Sequence, residues 1–213
     1  MNQLLLGVSF IVSSYVVSSI CFGLIIGKLA KGIDIREFGS GSTGATNVAR
    51  TCGGKWGILA LILDMAKAAV PLSVAVYVVD ATPTWCHPLT GLAAISGHIW
   101  PIFTNFKGGK GIASGWAALI VLSPWAGLAA ALTAGPLIAI TRYVSLGSIV
   151  GSVLGGSVII ALSILSIDET PRIYGLFGIF GTTITVLLHH QNISRLIKGE
   201  ESKLGQKPKN PSS

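Results

Sequence analysis

Long, continuously apolar runs separated by short polar segments constrain this sequence more than any other feature. Hydrophobic residues make up 51% of the 213 residues and only 11% are charged, whereas a soluble domain carries about 25% charged residues. The runs do not alternate between apolar and polar residues, which favours helices over barrel strands. The sequence therefore predicts an all-α polytopic membrane protein. Because no A-x-A cleavage pattern lies near the start, we expect the first run to remain as a span.

The number of spans depends on residues 111–141, which could form one long helix or two short ones. Pro124 favours two, because proline removes a helical hydrogen bond and restricts the residue before it. With two helices there, nearly all of the 15 lysines and arginines fall on one side of the membrane. The positive-inside rule then predicts a cytoplasmic basic face, an outside N-terminus and a cytoplasmic C-terminus. The seven predicted transmembrane helices are at about 4–27, 56–79, 87–104, 111–123, 125–141, 145–167 and 172–189.

Charge and cysteine content exclude several classes of function. The net charge of +7 is explained by the basic face of a membrane protein, so it does not indicate a nucleic-acid partner. Cys21, Cys52 and Cys86 are odd in number and form no C-x-x-C, which argues against a disulfide framework or a metal site. Nothing in the sequence calls for a metal or an organic cofactor. We predict one polytopic domain over 1–200 and a basic, disordered cytoplasmic tail over 201–213.

A glycine-rich segment, "REFGSGSTGATNVARTCGGK" (Arg36 to Lys55, the first loop), follows the first span. It contains a literal G-x-G-x-x-G, but it is no dinucleotide fingerprint, because no strand precedes it. Glycines let backbone N–H groups converge on an anion, and Arg50 adds a planar fork suited to phosphate. A flexible connector is the alternative interpretation. Further donors in this loop are Ser40, Ser42, Thr46 and Asn47.

A second basic and glycine-rich segment lies in "NFKGGKGIASG", and we call residues 105–110 the second loop. Lys107 and Lys110 bracket Gly108 and Gly109, and the next predicted helix begins at once. A helix N-terminus offers unpaired N–H groups and the positive end of the dipole. Because both loops fall on the same side, they predict one anion-binding pocket or two adjacent ones. The alternative is two separate helix-end anchors with snorkelling lysines.

Polar residues also occur within or beside the predicted spans. Asp64 and Lys67 share a helix face at i, i+3 and could neutralise each other and brace the loop above, or be functional. His98 could be a base, a phosphate ligand or an interior histidine. His189, Asn192 and Arg195 recur at helical spacing near the end of the last span. The G-x-x-x-G pairs Gly23/Gly27 and Gly151/Gly155 predict helix-packing surfaces.

Taken in order, the motifs "GSGSTGATNVAR", "LDMAK", "GHIWPIFTNFKGGKGIA", "RYVSLGS" and "NISRLIKGEE" resemble the bacterial acyl-phosphate-dependent glycerol-3-phosphate acyltransferases, the PlsY family. The resemblance covers nearly the whole chain except the tail. It implies an enzyme of phospholipid biosynthesis in the bacterial inner membrane, with its active site facing the cytoplasm. The implied reaction transfers a fatty acyl group from acyl phosphate to the 1-hydroxyl of glycerol 3-phosphate, giving lysophosphatidic acid and phosphate. A separate enzyme would supply the acyl phosphate.

The resemblance also implies roles for individual residues. One departure is Ser42, which stands where the family's usual GSGN pattern has asparagine and therefore offers a shorter reach and one fewer donor. Asp64, Lys67, His98 and Glu201 match motif positions without a firm role. The implied acyl-phosphate ligands are Ser40, Gly41, Ser42, Thr46, Asn47, Lys107, Gly108 and Gly109. Arg50, Lys110, Ser145, Asn192 and Arg195 would bind glycerol 3-phosphate, and Lys110, Ser145, Ser148, His189 and Asn192 would form the catalytic group.

The His-x4-Asp pair of many glycerolipid acyltransferases is missing from this sequence, since neither His87 nor His98 has an aspartate five residues later. We therefore expect an enzyme that mainly positions its substrates and neutralises charge, with a phosphate oxygen of the donor accepting the hydroxyl proton. Two other classes compete. A transporter of a phosphorylated solute would use Asp64 and Lys67, although no inverted repeat is evident. A non-catalytic scaffold for anionic lipid would need the basic residues but not the glycines.

Overall fold

The fold is a bundle of α-helices, seen in a computed structural model that describes residues 2–206. All regular secondary structure in this range is helical, which confirms the predicted all-α membrane fold. Short 3₁₀ turns at Ile35–Glu37, Ile102–Thr104, Ile167–Glu169 and Arg172–Tyr174 join some of the helices. The helices are α1 Gln3–Ser18, α2 Phe22–Lys31, α3 Ala45–Cys52, α4 Gly54–Ser73, α5 Cys86–Ile99, α6 Ile112–Leu122, α7 Pro124–Thr141, α8 Val144–Leu165, α9 Gly175–Leu188 and α10 His190–Ile197.

Four helical stretches in the described chain are long and apolar enough to cross a bilayer. They are α1 with α2, α4 with the π-helical turn that follows it, α7, and α8. A fifth would combine α9 and its preceding turn with α10, across a bend of 56°. Helix α6 has 11 residues, so it is about 16 Å long against a hydrocarbon core of about 30 Å. Seven spans and the orientation of the termini therefore stay predictions.

The helix breaks have local causes. Pro124 separates α6 from α7 as predicted, because it occupies the first turn of α7 while the side chain of Ser123 accepts a hydrogen bond from the N–H of Ala126 at 3.4 Å. The first predicted span is broken instead of continuous, since the chain leaves the helix between Ser18 and Phe22.

The first loop contains a helix, α3, that the glycine-rich sequence pattern does not indicate. Helix α3 is amphipathic, and its Val48 and Cys52 pack with Ile26, Ile35 and Ala60 in a buried apolar cluster. This contact fixes α3 against α2 and α4, so the glycines before it are attached to a packed element at both ends.

Small residues allow the closest helix contacts. A Cβ added at Gly151 would lie 2.9 Å from the Cβ of Ala134, and one at Gly155 would lie 2.9 Å from the Cβ of Ala130. The predicted packing surface of α8 is thus confirmed as its contact with α7. At Gly97, α5 crosses α1 so closely that an added Cβ would collide with the carbonyl oxygen of Tyr15.

The segment after α10 returns to the helix bundle. The N–H of Leu204 donates to the carbonyl of Arg142 at 2.7 Å, and the Arg142 guanidinium donates to the Leu204 carbonyl at 2.7 Å. Lys203 places its ammonium 5.4 Å from the centre of the Tyr143 ring. Of the predicted disordered tail, residues 201–206 therefore lie near the start of α8 with only Glu201 buried, while residues 207–213 lie outside the described residues.

The α1–α5 crossing generates a stability prediction. Replacing Gly97 with alanine should lower the free energy of unfolding by about 1–3 kcal/mol, because the new methyl group meets backbone that cannot rotate away. Thermal unfolding of the purified protein in detergent measures this effect. Gly54→Ala is the matched control, since a Cβ at Gly54 meets open space. Equal unfolding temperatures for the two variants would contradict the close approach.

Candidate active site

The first loop is shaped from within by one asparagine side chain. Asn47 is 2% exposed. Its side-chain NH₂ donates to the carbonyls of Ile35, Phe38 and Ser42 at 2.8–3.1 Å, and its oxygen accepts from the N–H of Ser40 at 3.0 Å. Gly39 and Gly41 have φ values of +60° and +69°, a conformation that glycine adopts without steric cost.

This geometry changes the predicted role of Asn47. Its two amide protons are already shared among three carbonyls, so none is left for a bound phosphate. The N–H of Gly41 is also used, donating to Phe38 at 3.1 Å. Asn47 therefore holds the loop in shape in this structure, and its direct contact with acyl phosphate stays a prediction. Of the other donors predicted in this loop, Ser40 is exposed, and Ser42 and Thr46 are half-buried.

The two glycines of the second loop also differ from the expectation of free amides. The N–H of Gly108 donates to Ile99 at 3.1 Å, and the N–H of Gly109 donates to His98 at 3.0 Å. These bonds fasten the loop to the end of α5, so Gly108 and Gly109 do not present their amides to a ligand. The N-terminus of α6 is what remains for an anion, because no described side chain caps it at Gly111.

The two loops face each other, as the sequence predicted. Gly41 of the first loop and Lys107 of the second line one cleft, together with Asp34, Arg36, Glu37 and Asn105. Arg36 and Asp34 form an ion pair at 2.7 Å, and hydrogen bonds from Arg36 lower the pKa of Asp34 to about 2. Because Arg36 is neutralised in this way, the exposed charges that remain in the cleft are the ammonium of Lys107 and the carboxylate of Glu37.

A buried carboxylate joins the other predicted site residues. Glu201 accepts from the hydroxyl of Ser145 at 2.7 Å, from the side-chain amide of Asn192 at 2.6 Å and from Nε of Arg195 at 2.6 Å. The oxygen of the Asn192 side chain in turn accepts from the ammonium of Lys110. This carboxylate network connects the second loop, α8, α10 and the segment after α10.

Three cations surround this network. Burial lowers the pKa of Lys110, and the like charges of Arg195 and Arg50 lower it further. Arg50 donates to the carbonyl of Ser202 at 3.0 Å, while its Nε is buried without a partner in residues 2–206. Burial raises the pKa of Glu201, but the hydrogen bonds from Ser145, Asn192 and Arg195 outweigh it and hold that pKa below its usual range. One carboxylate therefore faces three cations, which favours a bound anion.

An apolar cavity begins beside the carboxylate network. It is partly open to the outside and has a volume of about 90 Å³. Gly111, Ser148 and Thr185 line its end near Lys110, and Leu119 and Phe177 line its length between α6, α7, α8 and α9. His189 is buried near this end, with its Nδ1 2.7 Å from the carbonyl of Thr185. The site can thus hold an anionic head group at one end and a hydrocarbon chain at the other.

The remaining predicted residues lie outside this cluster. Asp64, Lys67 and His98 are buried beneath the second loop, and within residues 2–206 they form no hydrogen bond or ion pair with Glu201 or Arg195. Sequence reasoning missed the carbonyls of Ser202 and Leu204, which fix Arg50 and Arg142. Backbone acceptors in an irregular segment leave no pattern in side-chain identity, so the sequence held no signal for them.

The chain is similar to known proteins over nearly its whole length. A family model described as glycerol-3-phosphate acyltransferase matches residues 8–199. A protein of that name from Anaeromyxobacter sp. (strain Fw109-5) is 39% identical over 206 residues, covering 96% of this chain and 99% of the relative. Another, from Desulforamulus reducens, is 43% identical over 202 residues, covering 94% of this chain and 96% of the relative.

Solved structures show the same arrangement of helices. The crystal structure of PlsY (YgiH), an integral membrane glycerol 3-phosphate acyltransferase in its glycerol 3-phosphate form, superposes with a TM-score of 0.84. The two chains are 35% identical, and the match covers 93% of this chain and 96% of the other. Its lysophosphatidic acid form superposes with a TM-score of 0.81 at 34% identity, covering 93% of this chain and 95% of the other.

The carboxylate network predicts a pH-dependent stability. Glu201→Gln should lower the free energy of unfolding at neutral pH by about 2 kcal/mol, since hydrogen bonds to a charged group contribute about 1.5–3 kcal/mol. Because the pKa of Glu201 is lower in the folded state, its contribution is complete above the ordinary glutamate value of about 4.3. It is lost as the pH falls through the folded pKa.

Thermal unfolding of wild type and Glu201→Gln between pH 7 and pH 3 checks this expectation. The gap between the two unfolding temperatures should close as the solution becomes acidic. Glu200→Gln is the control, because Glu200 is the exposed neighbour and its substitution should leave the curve unchanged. A gap that stays constant down to pH 3 would show that the charge of Glu201 does not stabilise the fold.

Proposed function

The chain belongs to the glycerol-3-phosphate acyltransferase family, and we propose that it uses acyl phosphate as its donor. In the proposed reaction a fatty acyl group moves to the 1-hydroxyl of glycerol 3-phosphate. The products are 1-acyl-glycerol 3-phosphate (lysophosphatidic acid) and inorganic phosphate. The observation that carries this proposal is a cationic, hydrogen-bonded cluster at the mouth of an apolar cavity.

The acceptor fits the cationic side of the site. We propose that Arg50, Lys110 and Arg195 bind the phosphate of glycerol 3-phosphate, since their charges already converge there with a single carboxylate among them. Ser145 and Asn192 are oriented by Glu201, so their remaining hydrogen-bonding capacity is directed at the glycerol hydroxyls. Glycerol 3-phosphate held in one orientation reacts with the acyl donor at a lower entropic cost.

The donor fits the two loops and the cavity together. Its phosphate would lie between the first loop, with Ser40, Ser42 and Thr46, and the exposed ammonium of Lys107. The unpaired amides at the start of α6 would add hydrogen bonds and the positive dipole end. The fatty chain would extend along the cavity past Ser148 toward Leu119 and Phe177. Acyl phosphate would come from a separate acyl-phosphate-forming enzyme.

The chemical step needs little help from a protein base. The 1-hydroxyl oxygen attacks the carbonyl carbon of the acyl phosphate, and the bond from that carbon to the phosphate oxygen breaks. The hydroxyl proton passes to a phosphate oxygen of the donor, which leaves as inorganic phosphate. Neighbouring cations stabilise the negative charge that develops on the carbonyl oxygen. Loss of turnover in His189→Ala with intact substrate binding would instead require a base in the protein.

The same proposal sets the orientation in the membrane. We propose that α5, α6 and α9 also cross the bilayer, giving seven spans with the N-terminus outside. The short α6 is then accommodated by local thinning of the bilayer or by tilt. Lysines and arginines of both loops, α10 and the following segment would lie in the cytoplasm of the bacterial inner membrane, as the positive-inside rule requires. Glycerol 3-phosphate would reach the site from that side.

Donor specificity gives the first functional prediction. Purified protein in lipid should form labelled lysophosphatidic acid from palmitoyl phosphate and labelled glycerol 3-phosphate, with equimolar release of phosphate. Palmitoyl-CoA in a parallel reaction should give no product, because its bulky head group does not match a site built around phosphate. Product from palmitoyl-CoA at an equal rate would overturn the donor assignment and leave the family function intact.

The second functional prediction concerns Lys110. Lys110→Ala should reduce kcat by about 10²–10³, the cost of removing one well-placed donor from a site that stabilises developing charge. The measurement is initial rate against glycerol 3-phosphate concentration in the acyl-phosphate assay. Lys55→Ala is the control, because Lys55 is an exposed lysine that lies over the Trp56 ring. Near-normal turnover in Lys110→Ala would remove this residue from the catalytic group.

A further inference from the structure

A buried ionic cluster lies directly beneath the second loop, and the proposed chemistry does not use it. Asp64 and Lys67 of α4 and His98 of α5 are 1–5% exposed. An oxygen of Asp64 is 2.8 Å from the ammonium of Lys67 and 3.5 Å from Nδ1 of His98. A buried carboxylate is costly unless it is paired, and Lys67 alone provides one pairing charge. The presence of His98 therefore calls for a separate explanation.

The imidazole of His98 is packed against the second loop. The nearest atoms to a Cβ built on Gly109 are Nε2, Cδ2 and Cε1 of His98, the last two at 2.9 and 3.1 Å. The carbonyl of His98 also accepts from the N–H of Gly109 at 3.0 Å. The ring and the backbone of one residue thus contact Gly109, and the next residue in the chain is Lys110.

The cluster is also tied to three other elements. The hydroxyl of Ser114, in the first turn of α6, donates to the carbonyl of Asp64 at 3.1 Å. The ammonium of Lys67 donates to the carbonyl of Ile20 at 2.8 Å, where the chain passes from α1 to α2. The hydroxyl of Ser18 donates to the carbonyl of Lys67 at 3.3 Å. The side chain of His98 therefore rests on a part of the bundle that is held from several sides.

We propose that His98, held by Asp64, is a positioning residue for Lys110. The edge of the imidazole fixes the position of the backbone at Gly109. That backbone then directs the Lys110 ammonium toward Asn192. Glycine is required at position 109 because the ring occupies the space that a side chain would take. This inference rests on the proposed function, since the group that it positions is the proposed phosphate ligand and charge stabiliser.

A double-mutant cycle between His98 and Gly109 tests the contact. Gly109→Ala should reduce kcat/KM for glycerol 3-phosphate about a hundredfold, the cost of displacing a catalytic group by about 1 Å. His98→Ala should also reduce it, because the turn loses its support. All three atoms nearest the added methyl belong to the His98 ring, so the double variant should be no worse than His98→Ala alone. Additive losses in the double variant would overturn the proposal.

Gly108 supplies a matched control within the same loop. A Cβ at Gly108 would meet the carbonyl oxygen of His98, Cδ of Pro101 at 2.7 Å and the carbonyl oxygen of Ile99 at 2.8 Å. None of these atoms is removed by His98→Ala. The effects of Gly108→Ala and His98→Ala should therefore multiply, whereas those of Gly109→Ala and His98→Ala should not.

Two further measurements separate positioning from stability. A residue that only stabilised the fold would lower the unfolding temperature and leave kcat/KM for glycerol 3-phosphate unchanged in the folded enzyme, so an unchanged kcat/KM in folded His98→Ala would also overturn the proposal. His98→Asn repeats the cycle if the alanine variant does not fold, because it keeps a polar side chain beside Asp64 while the ring edge is gone. Wild-type activity with acyl phosphate is measured alongside. If the wild-type protein shows no activity with acyl phosphate, the proposed function is refuted. If it is active but the losses in the double variant are additive, only the role of His98 is refuted.

Discussion

The requirement that polar groups in an apolar surrounding have partners organises this molecule. Two buried carboxylates meet that requirement in different ways. Asp64 lies inside a long apolar helix and pairs with Lys67 and His98 at its own depth. Glu201 lies beyond the last helix and is bonded to Ser145, Asn192 and Arg195. Each carboxylate therefore links elements that are distant in sequence, and breaking either link would leave a charge buried alone.

The second loop lies between these two carboxylates. Its glycines are bonded to the end of α5, above Asp64 and His98, and its Lys110 is bonded to Asn192, which is bonded to Glu201. A lysine has four rotatable bonds, so its ammonium is well placed only if both its backbone and its head group are fixed. In this structure the backbone is fixed from α5 and the head group from α10. The two anchors give a flexible side chain a defined position.

Much of the fold followed from side-chain patterns in the sequence. Hydropathy predicted the helices, Pro124 predicted the break between α6 and α7, and the spacing of Gly151 and Gly155 predicted the contact with α7.

Hydropathy could not settle whether α5 and α6 cross the membrane, because both are shorter than the bilayer core. It also missed α3, whose helical character depends on burying Val48 and Cys52 against other elements. The loop-shaping bonds of Asn47 were not predicted, because the residue types that bind phosphate also satisfy backbone carbonyls in tight loops and the sequence does not distinguish the two uses. Glu201 was matched to a motif, but its partners are set by the return of the chain after α10, which no local pattern encodes.

The place of Glu201 in the chain has a consequence for biosynthesis. Residues are added from the N-terminus onward, so both loops and helices α1 to α10 are made before the carboxylate that joins Ser145, Asn192 and Arg195. A nascent chain that has inserted its apolar helices still has uncompensated cations where Lys110, Arg50 and Arg195 meet. Assembly of the site is thus deferred until residue 201 has been synthesised, and a chain interrupted just after α10 would occupy the membrane as an inserted but unassembled enzyme.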